Sequence, residues 1–137
     1  MRAFAALVFP WHHDEILLCD IEDRGWCIPS GRVEPFEEPC EAASREAVEE
    51  AGAILHELQY IGCYRISERS EVRWADVFVA SVQELVEISR PDESRGRKLV
   101  TIEELPQVYH MWNPLLEEVF HYSKEILDRR ARYATGS

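Results

Sequence analysis

The sequence predicts an α/β sandwich built on a mixed β-sheet. Apolar segments of strand length, several alternating with polar residues, occupy most of the chain. Only two stretches have the features of a helix, one in the middle of the chain and one near its C-terminal end. With 137 residues, of which 46% are hydrophobic, the chain has room for one domain with a substantial core. Helices that cover the faces of a sheet give a layered α/β architecture.

A hairpin, a short strand and a loop are predicted in the first part of the chain. Residues 3–9 and 15–21 are apolar segments separated by a polar turn at 10–14, so the two strands should pair as a hairpin. Residues 26–28 predict a short strand, and residues 30–37 predict a loop.

The central helix is predicted over residues 38–51. Pro39 suits the first helical turn, because an N–H at that position would have no partner, and Gly52 suits the position just past the end. Small side chains recur along one face and would let the helix lie close against a sheet. They are Cys40, Ala43, Ala47 and Ala51.

Further strands follow the central helix. Two long β segments are predicted over residues 56–66 and 72–82, and the second has apolar residues on both faces, which favours burial on both sides. Residues 88–97 are polar, contain proline and glycine, and predict a loop. Residues 99–102 predict a short strand.

The final helix is predicted from Pro114 to about residue 130, with Asn113 as its N-cap. Its apolar stripe consists of Leu115, Leu116, Val119, Phe120, Ile126 and Leu127. We expect one domain over residues 1–132, followed by a disordered tail at 133–137.

Composition excludes several classes of function. The net charge is −11, which argues against a bulk nucleic-acid binder, since such proteins carry a basic face. No apolar run reaches the roughly 18 residues that span a bilayer, and the N-terminal residues lack the pattern of a signal peptide. Four cysteines without CxxC or zinc spacing predict reduced core thiols. We therefore expect a cytoplasmic protein that does not bind membranes.

The central helix concentrates negative charge. Each helical residue advances about 100°, so Glu46, Glu49 and Glu50 fall within one sector of about that width. Like charges at this spacing repel one another. Oxygen ligands in a cluster suit Mg²⁺ or Mn²⁺, and Gly31 can bring its backbone close to a metal or a phosphate because it has no Cβ. A solvated acidic helix is the alternative explanation of the same pattern.

The spacing of these residues resembles the Nudix box, G-x5-E-x7-R-E-U-x-E-E-x-G-U, in which U is an aliphatic residue. Every polar position of the motif is filled. The matching residues are Gly31, Glu37, Arg45, Glu46, Glu49, Glu50 and Gly52. Two departures are mild: Ala47 and Ala53 are small for the U positions, and Ser30 stands where many members have a second glycine. Neither departure removes a ligand.

The resemblance implies a fold and a chemistry. Nudix proteins have an α/β/α sandwich fold in which the box forms a loop–helix–loop, and they hydrolyse a nucleoside diphosphate linked to another group. By that resemblance Glu46, Glu49 and Glu50 would bind the metal, with the Gly31 carbonyl assisting. Arg45 and Glu37 would brace the loop against the helix, and Glu34 in the box loop would help to bind the metal. Either Glu49 or Glu46 would be the general base.

A further acid often comes from outside the box in this family. Glu68, Glu71, Asp92 and Glu93 lie in the predicted loops and are all candidates. His110 is a candidate loop base, although a structural role is the commoner one for such a histidine. His12 and His13 are better explained as exposed turn residues.

Substrate contacts are less constrained by the motif. Trp112, Asn113 and Trp74 are candidates for binding the substrate, although a role as N-cap is the stronger explanation for Asn113. Other aromatic candidates for base stacking are Trp11, Tyr64 and Phe78. Candidate phosphate contacts are Arg65, Arg69, Arg73 and Arg95. Core packing, or a solvated surface position, is the competing explanation for each of these residues.

Two functions from different classes follow. The first is a Mg²⁺-dependent hydrolase, with Mn²⁺ as a substitute, that cleaves a diphosphate linkage in a nucleoside di- or triphosphate or related nucleotide. The second is a non-catalytic Nudix domain that senses nucleotides, and the complete set of box glutamates favours the enzyme. The short chain most resembles the small MutT-like members. Its partners would be a nucleotide and, at most, a second copy of itself, so we expect a monomer or homodimer.

Overall fold

The computed structural model describes residues 3–134, apart from the side chains of Glu68 and Ala134. In chain order its elements are β1 (Ala5–His12), β2 (Glu15–Ile21), β3 (Gly25–Cys27), β4 (Ser30–Arg32), α1 (Pro39–Ala51), β5 (Ala53–Glu68), β6 (Glu71–Leu85), β7 (Ser94–Val100), a 3-10 turn (Ile102–Glu104), α2 (Leu105–Val108) and α3 (Pro114–Ala134).

The strands form one mixed sheet. Seven strands take part, in the order β3-β2-β1-β6-β5, while β4 also pairs with β1 and β7 with β2. β1 and β6 run parallel, whereas the predicted hairpin of β1 with β2 is antiparallel, as is the long β5–β6 pair. The prediction of a mixed sheet is confirmed.

Helices cover both faces of the sheet. The alanine face of α1 packs on one side against residues such as Val8 and Phe78, and α3 packs on the other, where Phe120 meets Phe9 edge to face. β6 contributes to both cores, as its apolar pattern predicted. The molecule is therefore the α/β/α sandwich that the resemblance implied.

The ends of α1 are as predicted. Glu38 is the N-cap, and its backbone N–H donates to the Glu41 carboxylate at 2.9 Å. Gly52 ends the helix in the left-handed conformation, with φ at 59°. The prediction of Asn113 as the cap of α3 is also confirmed, because its side-chain oxygen accepts the Leu116 N–H at 2.9 Å.

Strand β1 is longer than predicted, and the turn predicted at residues 10–14 is wrong for its first half. β1 continues through Pro10 and Trp11 to His12 beside β6. The Trp11 indole is fully buried and donates to Ser123 Oγ at 2.9 Å. Burial against the neighbouring strand thus outweighs the local turn signal, and Trp11 belongs to the core.

Two segments predicted as loops contain strands. Ser30–Arg32 pairs with the start of β1, and β7 begins at Ser94 rather than at residue 99. Both segments are short and polar, so neither shows the apolar alternation that marks a strand. Residue 102, predicted to end that strand, lies in the 3-10 turn.

Some side chains face differently from the prediction. Cys40 is exposed, and Ala42 takes its place in the contact of α1 with the sheet. Leu115 is exposed on α3, whereas Ser123 is buried. Of the cysteines, Cys19 and Cys27 are buried free thiols as expected, but Cys63 is exposed like Cys40.

The C-terminal end of the fold extends beyond its predicted boundary. α3 runs four residues past the predicted end at residue 130, to Ala134, so residues 133 and 134 are helical. Residues 135–137 of the predicted tail lie outside the described residues. Within residues 3–134, no helix is long and apolar enough to cross a membrane.

Candidate active site

The box glutamates lie where α1 meets the short strand β4. Glu46 and Glu49 are largely shielded from solvent, and Glu50 is buried with 6% exposure. Gly31 faces Glu46 so closely that a Cβ at Gly31 would overlap the Glu46 carboxylate. A glycine is therefore required at this position, because any Cβ would collide with the Glu46 carboxylate.

Arg45 is the centre of the carboxylate cluster. Its guanidinium forms a two-point ion pair with Glu37, at 2.8 and 3.0 Å. It also contacts Glu46 at 2.8 Å and Glu49 at 3.2 Å, and donates to the Arg32 carbonyl at 3.0 Å. These carboxylates raise the pKa of Arg45. One cation thus ties the box loop to α1 and offsets the repulsion between the glutamates.

Glu34 lies at the rim of this cluster. Its carboxylate is mostly exposed and 3.7 Å from the Arg45 guanidinium. Its backbone N–H donates to Glu37 at 3.0 Å. Glu34 and Glu37 therefore hold the loop and the arginine together, as the resemblance implied for Glu37.

Glu50 is the most perturbed carboxyl group of the cluster. Burial is the main cause that raises its pKa to about 8. A hydrogen bond from the Ser30 N–H, at 3.0 Å, acts in the opposite direction and lowers the pKa. Burial also raises the pKa of Glu46. Ser94 secures the same turn of α1 by donating its hydroxyl to the Glu50 carbonyl at 2.5 Å.

Glu50→Gln should make metal-free protein more stable, and increasingly so as pH rises. The folded state keeps a proton on Glu50 between its unfolded and folded pKa values, so stability falls as pH passes from about 4.5 towards 8. The neutral amide removes that loss while its oxygen still accepts the Ser30 N–H. We expect a gain on the order of 1–3 kcal/mol at high pH.

Thermal unfolding of both proteins in EDTA, from about pH 5 to about pH 8.5, measures this gain. Glu41→Gln removes an exposed charge from the same helix and should give no pH-dependent difference. A constant difference for Glu50→Gln across the range would contradict the raised pKa of Glu50.

The cluster has the chemistry of a hard-cation site, but its carboxylates are engaged elsewhere. Carboxylate and carbonyl oxygens are the donors that Mg²⁺ prefers, and the crowded approach of Gly31 to Glu46 fits such a site. Within residues 3–134, no three acidic, histidine or cysteine side chains converge as a preformed metal cage. Glu46 and Glu49 instead contact Arg45.

A cavity of about 320 Å³ opens beside the cluster, on the α3 side of the sheet. Ser30, whose N–H binds Glu50, is part of its wall. The apolar lining consists of Leu7, Phe9, Ile28 and Leu116, and the polar lining of Arg24, Cys27, Ser30, Tyr64, Tyr109 and His110. Ser30 therefore connects the cavity with Glu50, while the glutamates themselves are not part of the lining.

A larger cleft of about 520 Å³ lies at the other end of β1, between β5 and α3. Trp11, His13 and Lys124 are part of its lining, and no box residue is. Size alone would favour this cleft, but the carboxylates favour the smaller cavity beside Glu50.

The acids proposed from outside the box lie in different places. Glu93 lies beside the cluster, because Arg90 pairs with both Glu93 and Glu49. The Arg90 guanidinium is 3.2 Å from the Glu93 carboxylate and 3.7 Å from that of Glu49. Glu71 pairs with Arg73 at 2.6 Å near the β5–β6 turn. Asp92 is exposed, and the side chain of Glu68 lies outside the described residues.

The aromatic candidates lie in three places: the cavity beside Glu50, the core, and a separate cleft. Tyr64 lines the cavity beside Glu50. Trp112 packs at the edge of the α3 core against Phe120 and Tyr109. Trp74 lines a different cleft on the α1 side of the sheet. Phe78, like Trp11, is buried in the core.

The remaining arginine and histidine candidates lie in different surroundings. Arg95 lies 3.8 Å from Asp20, and Arg65 and Arg69 are exposed. His12 and His13 are exposed and their rings meet edge to face. His110 does line the cavity, with Nδ1 3.1 Å from the Trp26 carbonyl. No sequence pattern singles out Arg24 or Tyr109, because each becomes distinctive only through long-range packing around the cavity.

Comparison with known proteins decides the family. The sequence model of the NUDIX domain matches residues 1–122. The chain belongs to the Nudix family. This agrees with the box, with the sandwich fold and with the position of the acidic helix.

Relatives of this Nudix chain include two curated proteins. It is 37% identical to the putative 8-oxo-dGTP diphosphatase YtkD of Bacillus subtilis. That match extends over 91 residues and covers 66% of this chain and 56% of that protein. It is 40% identical to diphosphoinositol polyphosphate phosphohydrolase 3-alpha of Mus musculus. That match extends over 88 residues and covers 62% of this chain and 52% of that protein. The matches thus span little more than half of each relative.

Solved Nudix structures share the fold over nearly the whole chain. The pyrophosphohydrolase BsRppH of Bacillus subtilis has a TM-score of 0.72 at 25% identity, over 93% of this chain and 82% of that one. A NUDIX hydrolase from Nitrosomonas europaea has a TM-score of 0.74 at 20% identity, over 92% of this chain and 90% of that one. The second likeness concerns the fold alone.

Proposed function

We propose that this Nudix protein is a hydrolase that cleaves a diphosphate linkage in a nucleoside di- or triphosphate or related nucleotide. A single contact carries the proposal: Ser30 lines the cavity and donates its N–H to Glu50 at 3.0 Å. A substrate with its organic part in the cavity would therefore present its phosphates to the box glutamates. The names of the relatives, a diphosphatase and two enzymes of phosphate hydrolysis, support the same class of reaction.

The residues proposed to hold Mg²⁺, or Mn²⁺ in its place, are Glu46, Glu49, Glu50 and the Gly31 carbonyl. All supply oxygen, as a hard cation requires. Glu46 and Glu49 would turn from Arg45 towards the ion, and Arg45 would keep Glu37 as its partner. Glu50 would give up its proton on binding, so metal uptake near neutral pH should release protons.

The chemistry then divides between the ion and the side chains. When bound, the ion neutralises charge on the phosphate oxygens and makes a water more acidic. Glu49, or Glu46, takes the proton of the attacking water as general base. Glu93 is the outside acid that we assign to the site, because Arg90 holds it beside Glu49. Arg45 keeps the loop and α1 in register.

A nucleotide panel tests the proposed function. Nucleoside di- and triphosphates, 8-oxo-dGTP and a diphosphoinositol polyphosphate are incubated with Mg²⁺ or with EDTA, and the products are identified by ³¹P NMR. We expect metal-dependent release of phosphate or pyrophosphate from a nucleotide. Tight binding of a nucleotide without turnover would favour the sensor function instead.

Two glycine substitutions should separate function from stability. In Gly31→Ala the new methyl group displaces the Glu46 carboxylate, a flexible side chain, so turnover should fall while stability changes little. In Gly52→Ala the residue has a φ of 59° and its Cβ meets the Val86 backbone, so the free energy of unfolding should fall by about 1–2 kcal/mol or more. Turnover and thermal unfolding of both variants measure this contrast, and equal loss of stability would contradict it.

A further inference from the structure

Arg24 is a cation whose described hydrogen-bond partners are a hydroxyl and a thiol, in a protein rich in acidic residues. It lies in the turn between β2 and β3, with Nη1 3.3 Å from Ser30 Oγ and 3.9 Å from Cys27 Sγ. Among the side chains that the structure describes, no carboxylate lies within ion-pair distance of the Arg24 guanidinium. By contrast, Arg45, Arg90 and Arg129 each pair with glutamates. In a chain of net charge −11, an arginine left with only a hydroxyl and a thiol has donors to spare for an anion.

The position of Arg24 connects the cavity with the box. Arg24 and Ser30 both line the cavity, and the Ser30 N–H binds Glu50 at 3.0 Å. Ser30 therefore contacts both the Arg24 guanidinium and the Glu50 carboxylate at the wall of the cavity.

The remaining lining of the cavity selects the organic group. Arg24 is the only lysine or arginine in the described lining, and four apolar and two tyrosine side chains make up most of the rest. The Tyr64 hydroxyl is shielded from solvent and has no hydrogen-bond partner within the described residues. A polyphosphorylated ring would need several cations here. A nucleoside, planar and largely apolar with a few polar atoms, fits this lining better.

We propose that Arg24 binds a phosphate of the substrate, so that the nucleoside occupies the cavity and the diphosphate reaches the box glutamates. This assignment rests on the proposed function and narrows it to nucleoside phosphates. The planar guanidinium offers two parallel N–H donors to phosphate oxygens. No internal ion pair has to break for it to do so, which distinguishes Arg24 from the other arginines of the site.

The test compares Arg24→Gln with wild type on ligands that contain no diphosphate bond. AMP, GMP, CMP and UMP and their nucleosides are titrated calorimetrically in EDTA. We expect Arg24→Gln to weaken binding of the monophosphates by about 10- to 100-fold and to leave nucleoside binding unchanged. Arg24→Lys should recover part of the loss. Arg65→Gln removes the same charge from an exposed position on β5 and should change neither.

Kinetics with the nucleotide that the panel identifies give a second readout. Arg24→Gln should raise KM by a similar factor with a smaller change in kcat, and its thermal unfolding should match that of wild type. Equal monophosphate affinity and equal KM in wild type and Arg24→Gln overturn the role of Arg24 and leave the proposed function standing. A wild type that neither binds nor cleaves any nucleotide, with Mg²⁺ present, overturns both.

Discussion

Glu49→Gln should lower kcat/KM by at least about 100-fold, because one substitution removes both a metal ligand and the favoured general base. The amide is the same size as the carboxylate, and its oxygen still accepts the Arg45 contact that Glu49 makes at 3.2 Å. Stability should therefore change little. Steady-state turnover of the nucleotide found in the panel, with saturating Mg²⁺, measures the loss.

The matched control for this experiment is Glu41→Gln on the same helix. Glu41 caps α1 by accepting the Glu38 N–H at 2.9 Å, and glutamine can make the same cap. This variant loses the same charge and should keep its activity. An active Glu49→Gln, or an equally inactive Glu41→Gln, would remove Glu49 from the reaction.

Arg45→Gln should have the largest effect on stability among the box residues. The guanidinium donates hydrogen bonds to three carboxylates and one carbonyl and is mostly shielded from solvent. Without it, partly buried glutamates repel one another and lack a partner. We expect the free energy of unfolding to fall by about 2 kcal/mol, which lowers Tm by roughly 5–10 °C in a domain of this size.

Adding Mg²⁺ tests whether the lower Tm of Arg45→Gln comes from repulsion among the box glutamates. A bound cation neutralises the same glutamates, so saturating Mg²⁺ should shrink the Tm difference between Arg45→Gln and wild type. Arg129→Gln, which breaks an exposed pair with Glu125 on α3, should cost less than about 0.5 kcal/mol and should not respond to Mg²⁺. A loss in Arg45→Gln as small as that of Arg129→Gln would contradict the central role of the arginine.

The box itself was predictable because its geometry is local. The spacing of Glu46, Glu49 and Glu50 determines which helix face they share, and Gly52 stops that helix through its own backbone conformation. Such features depend on a few consecutive residues. The same holds for the cap at Asn113.

The missed elements depend on partners that are distant in sequence. β4 exists because Ser30–Arg32 meets the start of β1, and Trp11 is buried because α3 supplies Ser123 across the sheet. Nothing in either short segment encodes that partner. In both segments, contacts with distant parts of the chain outweigh the local preference for a turn or a loop.

The cavity illustrates the same limit for function. Its lining combines residues from β1 to α3, between Leu7 and Leu116. Arg24 in a polar turn resembles any exposed arginine until the fold places it beside Ser30. The sequence thus predicted the carboxylate cluster at which we propose that phosphates are cleaved, whereas the residues that we propose for substrate selection became apparent only in the fold.

Titration of metal-stripped protein with Mn²⁺, with the free ion followed by electron paramagnetic resonance, tests most directly whether the box is a cation site. Wild type and Glu41→Gln should bind Mn²⁺ stoichiometrically, and Mg²⁺ should displace it. Combined substitution of Glu46, Glu49 and Glu50 by glutamine should abolish that binding in a folded protein. Equal Mn²⁺ binding by wild type and the combined variant would contradict the assignment of these glutamates as the metal site.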